Sequence, residues 1–311
     1  MKDLLSVADL AGDEIQLLLN EAEELKAGER LSSLSGKTLA LLFEKPSLRT
    51  RVSFEMAMHQ LGGHCLYLSP AEVGLGKRES VPDVARVLSR FVDIIAARTF
   101  SHATVEVLAD NTGMPVINAL SDREHPCQAL ADVLTIREKK GRLKGVTLAY
   151  IGDGNNVANS LMLAAALTGM DFRIASPAGY RVADDMLQLA QVYAAENQCR
   201  VTCTDDPRQA VECADVVYTD VWISMGQEEE SDKRCRELGA YQINSELMSL
   251  AEDGAIILHP LPAHRGQEIT DQMMEDPRAV VYDQAENRMH IAKALLLHML
   301  GGLEISMAGC R

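Results

Sequence analysis

A chain of 311 residues with 47% hydrophobic content is long enough to bury two cores of ordinary domain size. Its formal net charge of −15, from 45 acidic and 30 basic residues with no basic tail, disfavours a polyanionic partner such as DNA or RNA. Any anionic ligand must therefore be small and held by a local cluster of donors. The N-terminal MKDLLSVADLAGDE reaches an acidic pair before an apolar stretch of signal-peptide length has formed, and no apolar run approaches the roughly 18 residues of a membrane span. Seven scattered cysteines without a C-x-x-C pair point to thiols in a reducing compartment, with the cytoplasm as the expected address.

In chain order, an amphipathic helix is expected over Asp13 to Lys26. Apolar runs of strand length follow at Thr38–Phe43, Cys65–Leu68, Asp93–Ala97 and Pro115–Asn118. Helical patterns lie between them, among them Val81–Phe91, where Pro82 suits a first turn. A helical stretch from His125 to Lys140 ends in Lys-Lys-Gly-Arg-Leu-Lys-Gly, the expected domain boundary. The second series of strands is Val146–Ile151, Phe172–Ala175, Arg200–Thr204, Val216–Thr219, Ala255–Leu258 and Val280–Tyr282. A last helix over Gln284 to Leu300 can pack on either domain. The alternation is that of an α/β protein: two doubly wound parallel-sheet domains, with the active site in the cleft between them, outside the carboxyl ends of the strands. The expected domains are 1–140 and 141–283, and the C-terminal helix 284–311 is able to pack back on the first.

Five segments carry chemistry. Phe43-Glu44-Lys45-Pro46-Ser47-Leu48-Arg49-Thr50-Arg51 leaves a strand and enters a helix, bringing hydroxyls, guanidinium groups and free backbone N–H groups to a helix N-terminus. That is an anion site, or else a well-capped helix with solvated arginines. Arg98 ends the apolar strand IIAAR, where its charge is either solvated at the sheet edge or aimed into a ligand cleft. His125 precedes Pro126 at a helix start and reads as a cap, a satisfied core histidine or a catalyst; a nucleophilic pair with Cys127 has no local signature to support it. Val146 to Gly154 feeds a glycine turn, but Val157 stands where a dinucleotide fingerprint needs its third glycine. The following strand ends in Ser176 and Pro177 instead of an acidic ribose ligand. A Rossmann-like turn without a nucleotide is preferred. Asp220-Val221-Trp222-Ile223-Ser224-Met225-Gly226 leads into the acidic Gln227-Glu228-Glu229-Glu230, which alone reads as solvated surface.

Taken together these segments resemble the aspartate and ornithine carbamoyltransferase family. Ser47-Leu48-Arg49-Thr50-Arg51 is similar to the family's Ser-Thr-Arg-Thr-Arg signature, and FEKPSLRTRVSFE reads like its ornithine branch. The resemblance continues in order through Ala97-Arg98-Thr99, His125-Pro126-Cys127-Gln128-Ala129-Leu130-Ala131-Asp132, Gly152-Asp153-Gly154-Asn155-Asn156, Asp220 to Gly226, His259-Pro260-Leu261-Pro262 and Glu286-Asn287-Arg288, nearly the whole chain.

By this resemblance Ser47, Leu48 (through its N–H), Arg49 and Thr50 bind the phosphate of carbamoyl phosphate, and Arg288 lies near it. Arg98, His125 and Thr50 surround the carbonyl oxygen as the catalytic donors, and Gln128, in Pro126-Cys127-Gln128, takes the amino group. The carbonyls of Pro260 and Leu261 receive substrate amino groups, while Arg51 is a structural ion-pair partner. The resemblance further implies that Asn156 binds the α-carboxylate of ornithine, that Asp220 and Ser224 hold an ammonium, and that Met225 covers the aliphatic stem. The implied reaction is attack of the neutral δ-amine of ornithine on carbamoyl phosphate, giving citrulline and phosphate without metal or organic cofactor. A homotrimer or an assembly of trimers is implied as well.

Three positions depart from the family pattern. Leu48 replaces a threonine. Pro260 replaces the cysteine of His-Cys-Leu-Pro, giving the His-Pro-Leu-Pro form of aspartate enzymes. Gly74 stands in a loop where the family often has glutamine or histidine reaching a neighbouring subunit. The competing readings are carbamoyl transfer to aspartate, carbamoyl transfer to another amine such as putrescine or an acylated ornithine, and a non-catalytic binding protein that keeps the fold.

Overall fold

The computed structural model describes residues 2–28, 33–76, 78–223 and 228–301. The chain divides into two compact units, Met1–Asp122 with Arg288–Arg311, and Arg123–Asn287. Among the described residues no helix is long and apolar enough to cross a membrane.

The first unit is built on four parallel strands, β1 (Thr38–Phe43), β2 (His64–Leu68), β3 (Ile94–Arg98) and β4 (Val116–Leu120), in the order β2-β1-β3-β4. TLALLF and IIAAR are near-continuous apolar runs because β1 and β3 are central strands covered on both faces. β2, at the edge, has no fully buried residue. Ala40, Leu42, Ile95, Ala97 and Val116 pack against Ala85 of helix Val81–Leu88 and Val105 and Leu108 of helix His102–Asp110. Ser80 caps the first of these helices by accepting from the Asp83 N–H, and Pro82 lies in its first turn.

The second unit carries β5 (Thr147–Ile151), β6 (Asp171–Ala175), β7 (Val201–Thr204), β8 (Val216–Tyr218) and β9 (Ile256–Leu258), again all parallel, in the order β7-β6-β5-β8-β9. Its two most buried helices are Asn156–Leu167, where alanines permit burial on every side, and Pro126–Lys140, buried from Pro126 to Ile136. The latter ends at Gly141, whose φ of 70° supplies the left-handed cap. Hydrogen bonds from the Tyr218 hydroxyl to Asp132 and from Asn287 to Thr135 tie this helix to the second unit. The compact units therefore divide near 122 and 287, whereas the sequence places the boundary in the turn after Lys140.

Nine of the ten expected strands form within two residues of their expected bounds. Val280–Tyr282 does not. Val280 makes a single rung, its N–H donating to Ile257 O at 3.1 Å, and Val281 then opens the helix Val281–Leu300. Two β-branched residues before a tyrosine resemble a strand locally. The helical turn instead buries Val281 in the core and leaves Tyr282 66% exposed, which a covered strand would not do.

Glycine is required sterically at one turn of the second unit. A Cβ on Gly154 would stand 2.3 Å from Val182 N and 2.6 Å from Arg181 C, both backbone atoms. Gly154→Ala is expected to cost about 2–3 kcal/mol of stability, read as a lowered midpoint of denaturant unfolding with an unchanged slope.

Candidate active site

In each unit the described functional side chains gather where the sheet connections diverge. In the first unit the chain leaves β1 toward β2 on one side, while β3 and β4 lie on the other; this is a topological switch point, where a crevice opens at the carboxyl ends of the strands. Phe43 pairs in register with Arg98, so the turn after β1 and the last residue of β3 emerge side by side. The Glu44 N–H donates to Arg98 O at 2.8 Å, and the Glu44 carboxylate accepts from the Phe100 N–H at 2.9 Å, locking the two turns together.

Ser47 is the N-cap of helix Leu48–Gln60, its Oγ accepting from the Thr50 N–H at 3.4 Å and donating to Thr50 Oγ1 at 3.0 Å. The N–H groups of Leu48 and Arg49 occupy the first turn, where a helix offers them no internal acceptor. Arg288, on the last helix, donates from Nη2 to Thr50 Oγ1 at 2.5 Å. The Thr50 hydroxyl thus accepts twice within the protein, and its own proton remains available to a ligand oxygen. The Leu48 side chain points away, 73% exposed, so the family hydroxyl missing here leaves the backbone geometry intact. Arg51 pairs with Glu55 at 2.8 Å and stacks over Tyr67, as expected of a structural ion-pair partner.

Arg98 is buried, and its Nε has no hydrogen-bond partner among the described residues. Burial first, and then the like charges of Arg288 and Arg49, push its pKa down to about 10. Burial lowers the Arg49 pKa as well. Among the described residues no carboxylate forms an ion pair with Arg49 or Arg98. A group of guanidiniums that repel one another is favourable only when an anion joins them, and the chain's negative net charge makes this local excess more pronounced. Lys45, over the Phe100 ring, belongs to the same field: burial, with Arg98 next, lowers its pKa to about 8. Sequence reading singled out no role for Lys45, because a lysine beside a proline carries no motif of its own.

The second unit repeats the arrangement with the opposite charge. Its switch point falls between β5 and β8, whose Tyr150 and Tyr218 pair in register, as do Tyr218 and Leu258 of β9. The Gly152 turn, Asp220 and His259 therefore leave three adjacent strand ends together. Asn155 caps helix Asn156–Leu167, its Oδ1 accepting from the N–H groups of Val157 and Ala158, while its Nδ2 donates to Asp220 Oδ2 at 2.8 Å. Asn156 is the first residue of that helix. Asp220 is buried, with Oδ1 accepting from the Val221 N–H at 2.8 Å. Burial raises its pKa, and the bond from Asn155 works against that rise. Asn155 is a connection that sequence reading missed, although an asparagine after a glycine turn and before a helix is the signal of a cap.

His125 occupies the N-cap position of helix Pro126–Lys140 without a side-chain capping bond, and its N–H donates to Ser160 Oγ at 2.8 Å. Ser160 Oγ donates in turn to Glu124 at 2.9 Å. Pro126, Cys127 and Gln128 follow, all buried. After β9, His259 Nδ1 accepts from the Leu261 N–H at 2.9 Å, which places the ring proton on Nε2, facing Glu268 at 3.0 Å. This holds Leu261 at φ 60° and fixes the carbonyls of Pro260 and Leu261. A residue with an N–H is not needed at 260, because the turn is held from Leu261.

Ser224 and Met225 lie outside the described residues. The segment on either side of them is anchored by Arg234, which donates to Asp153 at 2.8 Å, to Trp222 O at 3.0 Å and to Glu230 at 3.1 Å. Gly74 ends the short helix Pro70–Val73 in the left-handed region at φ 54°, a cap that glutamine or histidine would occupy only with strain.

Residues 2–138 match the family model of the aspartate/ornithine carbamoyltransferase carbamoyl-P binding domain, and residues 144–299 match that of the Asp/Orn binding domain. The chain is 53% identical over 299 residues to the ornithine carbamoyltransferase of Bacillus subtilis, covering 96% of this chain and 94% of the relative. It is 50% identical over 301 residues to that of Methanobrevibacter smithii, covering 96% and 100%. Among solved structures, the ornithine carbamoyltransferase of Pyrococcus furiosus superposes with a TM-score of 0.95 at 48% identity, covering 97% of this chain and 98% of that one. The anabolic ornithine carbamoyltransferase of Campylobacter jejuni does so with a TM-score of 0.93 at 38% identity, covering 96% and 99%. With both family models matched in order and near-complete coverage of these relatives, the chain belongs to the aspartate/ornithine carbamoyltransferase family.

Proposed function

We propose that this chain transfers the carbamoyl group of carbamoyl phosphate to the δ-amine of L-ornithine, giving L-citrulline and phosphate. The observation that carries the reading is the opposition of charge at the two switch points: the guanidiniums of Arg49 and Arg98 in the first unit, with no carboxylate ion-paired to them among the described residues, and the buried Asp220 carboxylate in the second. The first suits a dianionic donor and the second a cationic acceptor. A dicarboxylate acceptor would meet Asp220 with repulsion, which weighs against the aspartate reading that Pro260 suggests.

Ser47, Leu48, Arg49, Thr50 and Arg288 are assigned to the phosphate. Arg98, Thr50 and His125 are assigned to the carbonyl oxygen, where donors that are already oriented stabilise the tetrahedral oxyanion without reorganisation. Gln128 with the Pro260 and Leu261 carbonyls takes amino hydrogens, and Asn156, Asp220, Ser224 and Met225 take the amino acid. The δ-amine attacks the carbonyl carbon, the bond to the phosphate oxygen breaks, and the departing phosphate accepts the amine's proton. The purified chain given carbamoyl phosphate with ornithine, aspartate, putrescine or N-acetylornithine is expected to carbamoylate ornithine alone; absence of citrulline from the products would refute the reading.

Two opposing effects shape the pH profile. An alkylammonium titrates near pH ~10.4, so the reactive amine increases as pH rises and kcat climbs above neutrality. Lys45, with its pKa lowered to about 8, loses its charge over the same range and weakens the pull on the free donor. kcat/KM for carbamoyl phosphate should accordingly fall above about pH 8. In Lys45→Met the value should be lower at pH ~7 and the fall absent. A wild-type profile that rises without a break through pH ~9 would remove Lys45 from the donor site.

The working assembly is proposed to be a homotrimer or a group of trimers in the cytoplasm. Leu48, Val52 and Met56, 73%, 46% and 39% exposed, form a four-residue-spaced apolar stripe on helix Leu48–Gln60, and Leu66 on the edge strand β2 is 45% exposed. Such a face favours self-association. None of the six described cysteines is in a disulfide, in keeping with a reducing compartment. Sedimentation equilibrium is expected to give three chain masses or a multiple of three; a monomer at micromolar concentration would contradict the assignment.

A further inference from the structure

Gln128 and Asp132 lie one turn apart on helix Pro126–Lys140, 1% and 0% exposed. Gln128 Nε2 donates to Asp132 Oδ1 at 2.8 Å, and Gln284 Nε2 donates to the same oxygen at 2.7 Å. The other oxygen, Oδ2, accepts from the Tyr218 hydroxyl at 2.9 Å. Burial, with the nearby Asp132 charge next, raises the Tyr218 pKa well above the ordinary range, so this hydroxyl stays protonated and donates. Gln284 is held from its other end, Oε1 accepting from the His259 N–H at 2.9 Å. The Asp132 carboxylate therefore cannot turn without breaking bonds to two further side chains, both anchored in the core of the second unit.

The remaining atom of the Gln128 amide is its carbonyl oxygen, which is buried and has no hydrogen-bond partner among the described residues. A carboxylate can only accept, so the face of the amide that meets Asp132 must be its NH2 group, and Oε1 is obliged to point the other way. A buried acceptor left unsatisfied is unfavourable, and a ligand N–H relieves it. A methyl group in the same place would leave the penalty standing.

Building on the assignment of Gln128 to the carbamoyl amino group, we propose that Asp132, locked by Tyr218 and Gln284, is the positioning residue that turns the Gln128 amide to present Oε1, and thereby makes the donor site select a carbamoyl phosphate over an acyl phosphate with methyl in place of NH2. Asp132 touches no substrate itself. Its effect is on which donor is accepted, since a reversed amide would offer N–H groups to the NH2 of the ligand and repel it.

Phosphonoacetamide and phosphonoacetone test this, being hydrolysis-stable and differing in NH2 against CH3. By titration calorimetry the wild-type chain is expected to bind the amide at least about tenfold more tightly than the ketone. In Asp132→Asn, where the facing group can both donate and accept, that preference should fall to within about threefold, while phosphonoacetone and inorganic phosphate bind as in the wild type. A purely structural role would weaken both analogues alike. Should Asp132→Asn not fold, Tyr218→Phe, which frees Oδ2, should reduce the preference at least about threefold without changing phosphonoacetone binding. A preference unchanged in the folded variant, or absent from the wild type, overturns the proposal. Binding of neither analogue by the wild type would instead overturn the donor-site reading on which it stands.

Discussion

The constraint on which the functional residues of each unit depend is the divergence of connections in a parallel sheet. Where one crossover runs left and the next runs right, the carboxyl ends of two neighbouring strands are left uncovered, and the turns that follow them are the only backbone free to carry polar groups there. In the first unit these turns bring Ser47 to Thr50 beside Arg98; in the second they bring Asn155 beside Asp220. In-register pairing carries the precision: Phe43 opposite Arg98, and Tyr150, Tyr218 and Leu258 in one row. A shift of one residue in either sheet would turn these side chains to the opposite face.

Onto this frame the chain places charges that lower its own stability. Arg98 is buried near Arg288 and Arg49, and Asp220 is buried with its carboxylate accepting from Asn155 Nδ2 and the Val221 N–H. Each arrangement is unfavourable in isolation and favourable once an ion of the opposite sign arrives, which is how a site is organised before its ligand binds. The supporting groups are neutral or acceptor-only: Thr50 with two donors already on its oxygen, His259 with its tautomer set by the Leu261 N–H, and Asp132 facing the Gln128 amide. They orient their neighbours through hydrogen bonds.

The three departures from the family pattern have local physical accounts. Leu48 contributes its N–H and turns its side chain outward. Pro260 sits in a turn secured one residue later by His259, so neither a thiol nor an N–H at 260 is needed to hold the backbone. Gly74 adopts a left-handed cap that a larger side chain would strain.

Much of this was legible from the residue string. Apolar runs such as TLALLF and IIAAR are strands because a twice-covered parallel strand must be apolar throughout, and the residue types of Phe43 to Arg51 mark a helix N-terminus that either binds an anion or is simply well capped. Val280–Tyr282 misled because three residues carry no period, and only the helix that follows decides their conformation. Lys45, Asn155, Asp132 and Arg234 could not be assigned in advance, since each acts through a partner distant in sequence: Asn155 through Asp220, Asp132 through Gln284 and Tyr218, Arg234 through Asp153. Residue type and local order decide strand, helix and the kind of ion a segment prefers, because those follow from backbone sterics and side-chain chemistry. Which groups are buried together, which tautomer or amide face is presented and which charges go unneutralised depend on the register of strands far apart in the chain, and only the tertiary structure sets that register.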